Sequence, residues 1–426
     1  MVSLRTEEAA PLKQARLFYL DWLRVLAVLA VFWYHTFRPF DVTDWHVKNE
    51  QQSLGVTIVI TAFALWGMPL FFVLAGAASW FALRSRSGRK FLRERTLRLL
   101  VPLLVGFLLF SPLQAYFEAL NHGTFAGSFL QFVPWFLAQP QLSWHPTWIN
   151  YPYHLWFLMF LWVSSLLALP LFLFLRGPTG SRVVDTLAAW CSRPGGIFLF
   201  IIPLALIRET VWVAFPGLND WGDLAIYLTL FVYGYLLFSR PAFLDAIRRQ
   251  GWMALGLSIL CLLLTAAMFV SGNLQTWASA PNYTPGALLY QVVPIIYAWA
   301  LLVFVLFCGS RWLNFTTKWL AEANDAVLPF YVLHQPAIVL IAFYVVQWPM
   351  GILPKWLIIS TLALALTLAV YILVIRRVNW IRWLFGMKPR RRIPEQVRNA
   401  EKDLSRADRN EHEGRQAETL GSKTPA

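Results

Sequence analysis

The sequence predicts an all-α polytopic membrane protein of about ten transmembrane helices, with both termini cytoplasmic. Three observations carry this. Hydrophobic residues make up 58% of the 426-residue chain and charged residues only 14%, with a mean hydropathy of +0.54. A soluble fold of this size cannot hide so much apolar surface. The apolar residues also fall into runs long enough to cross a hydrocarbon core as helices. Finally, Lys and Arg crowd between alternate runs, the bias expected of cytoplasmic loops. The net charge of +14 is therefore loop charge facing anionic membrane lipid, not a nucleic-acid surface.

Ten spans are expected, at 17–38, 54–83, 97–120, 152–175, 195–215, 222–239, 251–271, 286–308, 326–348 and 355–378. A cytoplasmic segment, 1–16, precedes the first, and no cleavable leader is expected. The second span is long and contains Gly67-Met68-Pro69, where a kink or break is predicted. A basic inner loop with Arg84, Arg86, Arg89, Lys90, Arg93, Arg95 and Arg98 leads into the third. The loop 121–151 has no Lys or Arg but several Pro and Trp residues. It is either an ordered outer loop or cap over a cavity, or an interfacial aromatic loop. The fifth span carries Arg208-Glu209; these point about 100° apart on a helix, so each needs a partner on another helix. After the domain 17–380 come a basic juxtamembrane segment and a disordered cytoplasmic tail, together 381–426.

Several function classes are disfavoured. The cysteines (Cys191, Cys261, Cys308) make neither a disulfide framework nor a metal-binding spacing, so no metal site is expected. No phosphate-binding Gly-rich loop, HExxH or nucleophile elbow occurs. No internal repeat supports a transporter built on inverted halves.

The first span holds the strongest candidate site. Charges are expensive at membrane depth, yet Asp21, Arg24 and His35 all lie within this apolar run. Arg24 and His35 are eleven residues apart, which leaves them about 20° apart around the helix and about 16 Å apart along it. Asp21 falls within about 60° of Arg24 and 40° of His35. One reading is a polar stripe lining a cavity. The other is an Asp21–Arg24 pair at one interface and a headgroup-level histidine at the other. Arg95 and Arg98 share a helix face with Arg93 nearby, and paired guanidinium forks suit phosphate groups such as those of an acyl-CoA. A lipid-binding loop is the alternative. His334-Gln335 lies between Pro329 and Pro336 in the ninth span, where a polar cavity or a helix–helix hydrogen bond is expected. His154, where the fourth span begins, and Glu118, near the end of the third, face either an outer cavity or the interface.

These motifs together resemble the membrane acyltransferase-3 family. Leu20-Asp21-Trp22-Leu23-Arg24, with ten residues before His35, looks like its Arg-x10-His motif. Pro69-Leu70-Phe71-Phe72-Val73-Leu74-Ala75-Gly76 looks like its second span, and Arg95-x-x-Arg98 before Leu99-Leu100-Val101-Pro102 like the opening of its third. His154-Leu155-Trp156-Phe157-Leu158 and Phe330-Tyr331-Val332-Leu333-His334 resemble later signatures. The region around Asp220-Trp221 leans toward the branch that includes periplasmic-glucan succinyl transferases. The resemblance covers about 17–380. It implies transfer of an acyl group from cytoplasmic acyl-CoA to a hydroxyl of an extracytoplasmic glycan or glycolipid, in a bacterial-type cytoplasmic (inner) membrane.

On that basis His35 is expected to act as general base, with Arg24 and Asp21 orienting the stripe or stabilising developing charge. Arg93, Arg95 and Arg98 are expected to hold the donor's phosphates. His334, Gln335, His154 and Glu118 are expected on the substrate path. Acyl-CoA is a substrate here, and no bound cofactor or nucleic acid is expected. The alternative is a transporter or flippase for a lipid-linked saccharide, which would use the same buried charges without chemistry.

Overall fold

A computed structural model describes residues 17–138, 153–215, 220–273, 276–277 and 284–390. The segment 1–16, the second half of the expected outer loop (139–151) and the expected tail beyond 390 lie outside the described residues. One compact unit runs from Met1 to Met387; of a second, Lys388–Ala426, only residues 388–390 are described.

Thirteen α-helices are named here in chain order. They are α1 (Phe18–Phe37), α2 (Leu54–Arg84), α3 (Gly88–Asn121), α4 (Phe129–Ala138), α5 (Trp156–Arg176), α6 (Pro178–Cys191), α7 (Ile201–Ile207), α8 (Trp221–Ser239), α9 (Pro241–Val270), α10 (Pro285–Trp312), α11 (Leu320–Val345), α12 (Ile352–Val370) and α13 (Asn379–Leu384). Among the described residues nine helices, α1, α2, α3, α5 and α8 to α12, are long and apolar enough to cross a membrane. The protein is an all-α, integral membrane protein.

Three boundaries differ from the sequence reading. The expected fifth span is segmented. A 3-10 stretch (Gly196–Phe200), the short α7 and a π-helical turn (Arg208–Trp212) follow one another. Gly195 leads in at a φ of 75°, which a side chain would resist, and Pro203 supplies no backbone donor to the short helix. In place of a partner on another helix alone, the Arg208 guanidinium stacks 3.3 Å over the Trp212 ring of the same turn. At Gly67-Met68-Pro69, where a kink or break is expected, there is no break: α2 runs on with Pro69 inside it. The basic loop is instead the first turns of α3. Ser87 starts that helix by accepting a bond from the Lys90 N–H, and Lys, Arg, Leu and Glu are good helix formers.

Helices α1 and α11 pack together at the centre, and α1 also touches α2, α10 and α12. Phe32 of α1 and Val332, Ile338 and Val339 of α11 have no exposed surface. Helices α2 and α8 cross at closest range. A Cβ at Gly76 would lie 2.0 Å from the Phe231 carbonyl oxygen, and one at Gly234 would lie 2.0 Å from that of Val73. Such backbone-to-backbone packing is how helices associate where lipid removes the hydrophobic drive between them. The carbonyls of Leu74 and Ala75 lie within this crossing, between Val73 and Gly76.

The segment 38–53 closes one end of the bundle. Asp41 is fully buried and pairs with Arg38 and with Lys48 Nζ (2.7 Å). Burial pushes the Lys48 ammonium below its usual pKa range, against the opposing pull of Asp41. Lys355 Nζ of α12, itself buried, donates to Asn49 Oδ1 and the Val346 carbonyl, both at 2.7 Å. A short loop thereby becomes a rigid platform. At the opposite end Arg376 pairs with Glu322 (2.6 Å), and Gly386, at a φ of 68°, passes so close to Arg98 that a Cβ would meet its carbonyl oxygen at 2.7 Å.

Candidate active site

Helix α1 serves two cavities. Arg24 lines one of about 300 Å³ and His35 lines another of about 220 Å³; the two share no lining residue. The polar stripe is therefore split along the helix axis, with its cation at one cavity and its imidazole at the other.

The arginine cavity gathers Arg24, Arg86, Arg95 and Arg98 over an apolar floor that includes Phe71, Leu74, Phe157 and Leu161. Arg24 donates to Asp21 (3.3 Å) and to the Leu74 carbonyl (3.4 Å). Arg95 Nη2 donates to the Ala75 carbonyl (3.1 Å) and to Ser79 Oγ (2.9 Å). Both guanidinium groups are thus anchored on α2 just where it crosses α8. Arg86 is paired with Glu94 at 2.7 Å. The four cations outnumber the carboxylates that act on them, Asp21, Glu94 and Asp325, so the cavity keeps a positive surplus suited to phosphate oxygens. Arg93, expected beside Arg95 and Arg98, is exposed on another face of α3 and is not part of the lining.

The second cavity is lined by His35, His154, Asp223, Tyr34, Tyr227 and Tyr331, with Phe63 and Trp156 among its apolar walls. A hydrogen-bonded series fixes the proton positions. His334 Nδ1 lies 2.7 Å from the Tyr331 carbonyl and must donate to it, which leaves Nε2 as an acceptor. That Nε2 lies 3.1 Å from His35 Nδ1, which in turn is 2.9 Å from the Val31 carbonyl. Two acceptors facing Nδ1 place the proton there. His35 Nε2 then carries the lone pair, the form a general base needs. His154 Nε2 donates to the Val332 carbonyl (3.3 Å), and its buried Nδ1 has no protein partner. His334 stands between the two, with ring centroids 5.1 Å from His35 and 5.3 Å from His154. Tyr153, immediately before His154, has a φ of 53°, a strained backbone of the kind that gathers at functional sites.

Glu118 and Gln335 meet at a neighbouring pair. His46 Nδ1 donates to Glu118 Oε2 (2.7 Å), and Gln335 Nε2 donates to His46 Nε2 (3.0 Å). Neither Gln335 nor His334 lines either cavity; His334 is wholly buried behind three residues that line the second one, His35, His154 and Tyr331. Among the described residues, no three His, Cys, Asp or Glu side chains are placed to hold a metal ion.

A family model described as an acyltransferase domain matches residues 17–376. The chain belongs to the acyltransferase-3 family. It is similar over most of its length to proteins called "Glucans biosynthesis protein C". Those of Escherichia coli O81 (strain ED1a) and Escherichia coli (strain K12) are each 24% identical over 392 residues, covering 89% of this chain and 96% of the relative. That of Escherichia coli O6:K15:H31 (strain 536 / UPEC) is 24% identical over 397 residues with the same coverage. No solved structure matches the chain. As a member of this family the protein is an O-acyltransferase of the membrane.

Three cavity or relay residues of this acyltransferase, Arg86, His46 and Asp223, are not among the site candidates the sequence offers. Arg86 was counted only as topological charge. His46 finds its partners 72 and 289 residues away, and no local spacing announces such a pair. The one usable signal was Asp223, a carboxylate in the first turn of a membrane helix, where charge is costly unless it serves a cavity or a helix end.

Proposed function

We propose that the enzyme moves an acetyl- or succinyl-type group from cytoplasmic acyl-CoA to a hydroxyl of an extracytoplasmic glucan or related glycan, across a bacterial-type inner membrane. The observation that supports this best is the division of α1, with Arg24 in a cation-rich cavity and His35 in a separate one about 16 Å further along the helix. Arg24, Arg95 and Arg98, with Arg86, take the phosphates of the donor, and Asp21 orients Arg24. The acyl-bearing arm extends toward His35. In the second cavity the glycan hydroxyl gives its proton to His35 Nε2 while its oxygen attacks the thioester carbonyl. His334 Nε2 accepts from His35 Nδ1–H and so stabilises the imidazolium that forms. The new C–O bond replaces the C–S bond, and the imidazolium returns its proton to the departing thiolate, giving free CoA. The unpartnered His154 Nδ1 accepts a second hydroxyl of the sugar. The name of the relatives, glucan biosynthesis, supports the class of acceptor.

The test supplies purified protein in liposomes with acetyl-CoA or succinyl-CoA and a periplasmic glucan preparation. CoA release matched by new ester mass on the glucan is expected. Release without ester would defeat the acceptor assignment, and no release from any acyl-CoA would defeat the donor assignment.

A further inference from the structure

The two cavities are separated by an aromatic partition. Phe71 and Phe157 close the arginine cavity; Tyr227 and Tyr331 line the histidine cavity. The Phe157 ring touches all the others directly or through Phe72. Its centroid lies 5.7 Å from Phe71, 5.1 Å from Phe72 and 5.7 Å from Tyr331. Phe72 in turn stacks on Tyr227 at 4.6 Å. This layer of rings spans from lining residues of one cavity to lining residues of the other.

Its members differ in freedom. Phe72 has no exposed surface and is locked by its stack on Tyr227. Tyr331 is buried and its hydroxyl is tied to the His154 carbonyl. Phe157 is only half-buried, carries no polar group on its ring and lines the open arginine cavity. It lies in the first turn of α5, and Leu155 before that helix offers no side-chain cap. A rotamer change there is cheaper than movement of either neighbour.

We propose that Phe157 is the gate between the donor and acceptor cavities, and that the opening it leaves against Tyr331 sets which acyl groups reach His35. This rests on the acyl-CoA reading given above. With the ring closed, water in the histidine cavity is kept from the thioester. A short acyl arm displaces the ring far enough to pass; a long chain meets Phe72 and Tyr331, which do not yield. Removing the ring admits bulkier acyl groups and lets water act as acceptor. In that side reaction a water oxygen forms the new bond to the carbonyl carbon, the C–S bond breaks, and the products are the free acid and CoA.

The test compares wild type, Phe157→Ala, Phe157→Leu and Phe157→Trp in liposomes, using acetyl-CoA, succinyl-CoA and octanoyl-CoA with and without glucan. For Phe157→Ala, the rate with octanoyl-CoA relative to acetyl-CoA is expected to rise at least about tenfold, the scale of discrimination by an apolar wall. CoA release without glucan is expected to rise as well. Phe157→Trp is expected to slow transfer and to lower octanoyl transfer further relative to acetyl transfer. Phe157→Leu, which keeps most of the packing, is expected to shift chain-length preference in the direction of the Ala variant and decides the matter if Phe157→Ala fails to fold. Wild-type preference and wild-type hydrolysis in the Leu and Ala variants would overturn the gate while leaving the acyl-CoA reading intact. Failure of the wild type itself to release CoA would overturn both.

Discussion

His35→Ala is expected to lower acyl transfer by about 10²–10⁴-fold, the usual contribution of a positioned general base, while CoA affinity is unchanged. The reason lies in the proton positions. The carbonyls of Tyr331 and Val31 and the Nε2 of His334 together hold the His35 proton on Nδ1. His154, the other imidazole of the second cavity, has a single carbonyl behind its ring, where His35 has both a carbonyl and the His334 nitrogen. The His154 Nδ1 is buried, and only the Val332 carbonyl supports the other side of its ring. The fold should survive, because His35 bonds only to its own helix and to one neighbouring ring. The orphaned His334 Nε2 costs on the order of 1–3 kcal/mol. Size-exclusion profile and thermal unfolding of the detergent-solubilised variant check this, and single-turnover CoA release measures the loss. An unchanged rate would remove His35 from the chemistry.

The second large effect is expected at the other cavity. Replacing Arg95 and Arg98 together with alanine should raise the Michaelis constant for acyl-CoA by about two orders of magnitude, since charge-assisted bonds to phosphate are worth roughly 1.5–3 kcal/mol each. The constant for glucan should not move. Arg95 also ties α3 to α2 through the Ala75 carbonyl and Ser79, so part of the loss in the double variant could come from loosened packing. Arg98→Ala alone separates the two, because Arg98 makes no such tie to α2. Its donor constant should rise while unfolding temperature holds. Arg95→Lys should recover little, because an ammonium is a point charge that cannot give a phosphate the two parallel bonds of a guanidinium fork. Parallel increases for donor and acceptor would count against a phosphate role.

Much of this arrangement was legible before any coordinates. Helical periodicity alone put Arg24 and His35 on one stripe, and the rise per residue put them far apart along it. The structure shows why both alternatives once open for the stripe were incomplete: it lines cavities, but two of them. Arg95 and Arg98 shared a face as their spacing required, while Arg93, two residues from Arg95, turned away for the same geometric reason. What stayed hidden depends on pairings between distant segments. His334 meets His35 across 299 residues, and Gln335 meets His46 across 289. Hydropathy located the fifth apolar segment but not its division into short helices, because Gly195 and Pro203 act through backbone geometry that a window average cannot register. The partition around Phe157 was invisible for a further reason. In a chain with 33 Phe, nothing local distinguishes a ring between two cavities from one facing lipid.

The central claim is that donor and acceptor meet from opposite ends of α1. Sidedness tests it most directly. Glucan is sealed inside inverted inner-membrane vesicles containing the enzyme, and impermeant succinyl-CoA or acetyl-CoA is added outside, at the face expected to carry the arginine cavity. Ester is expected on the trapped glucan, and none when the acyl-CoA is sealed inside with the glucan. Ester formed only when donor and acceptor share one compartment would contradict the account.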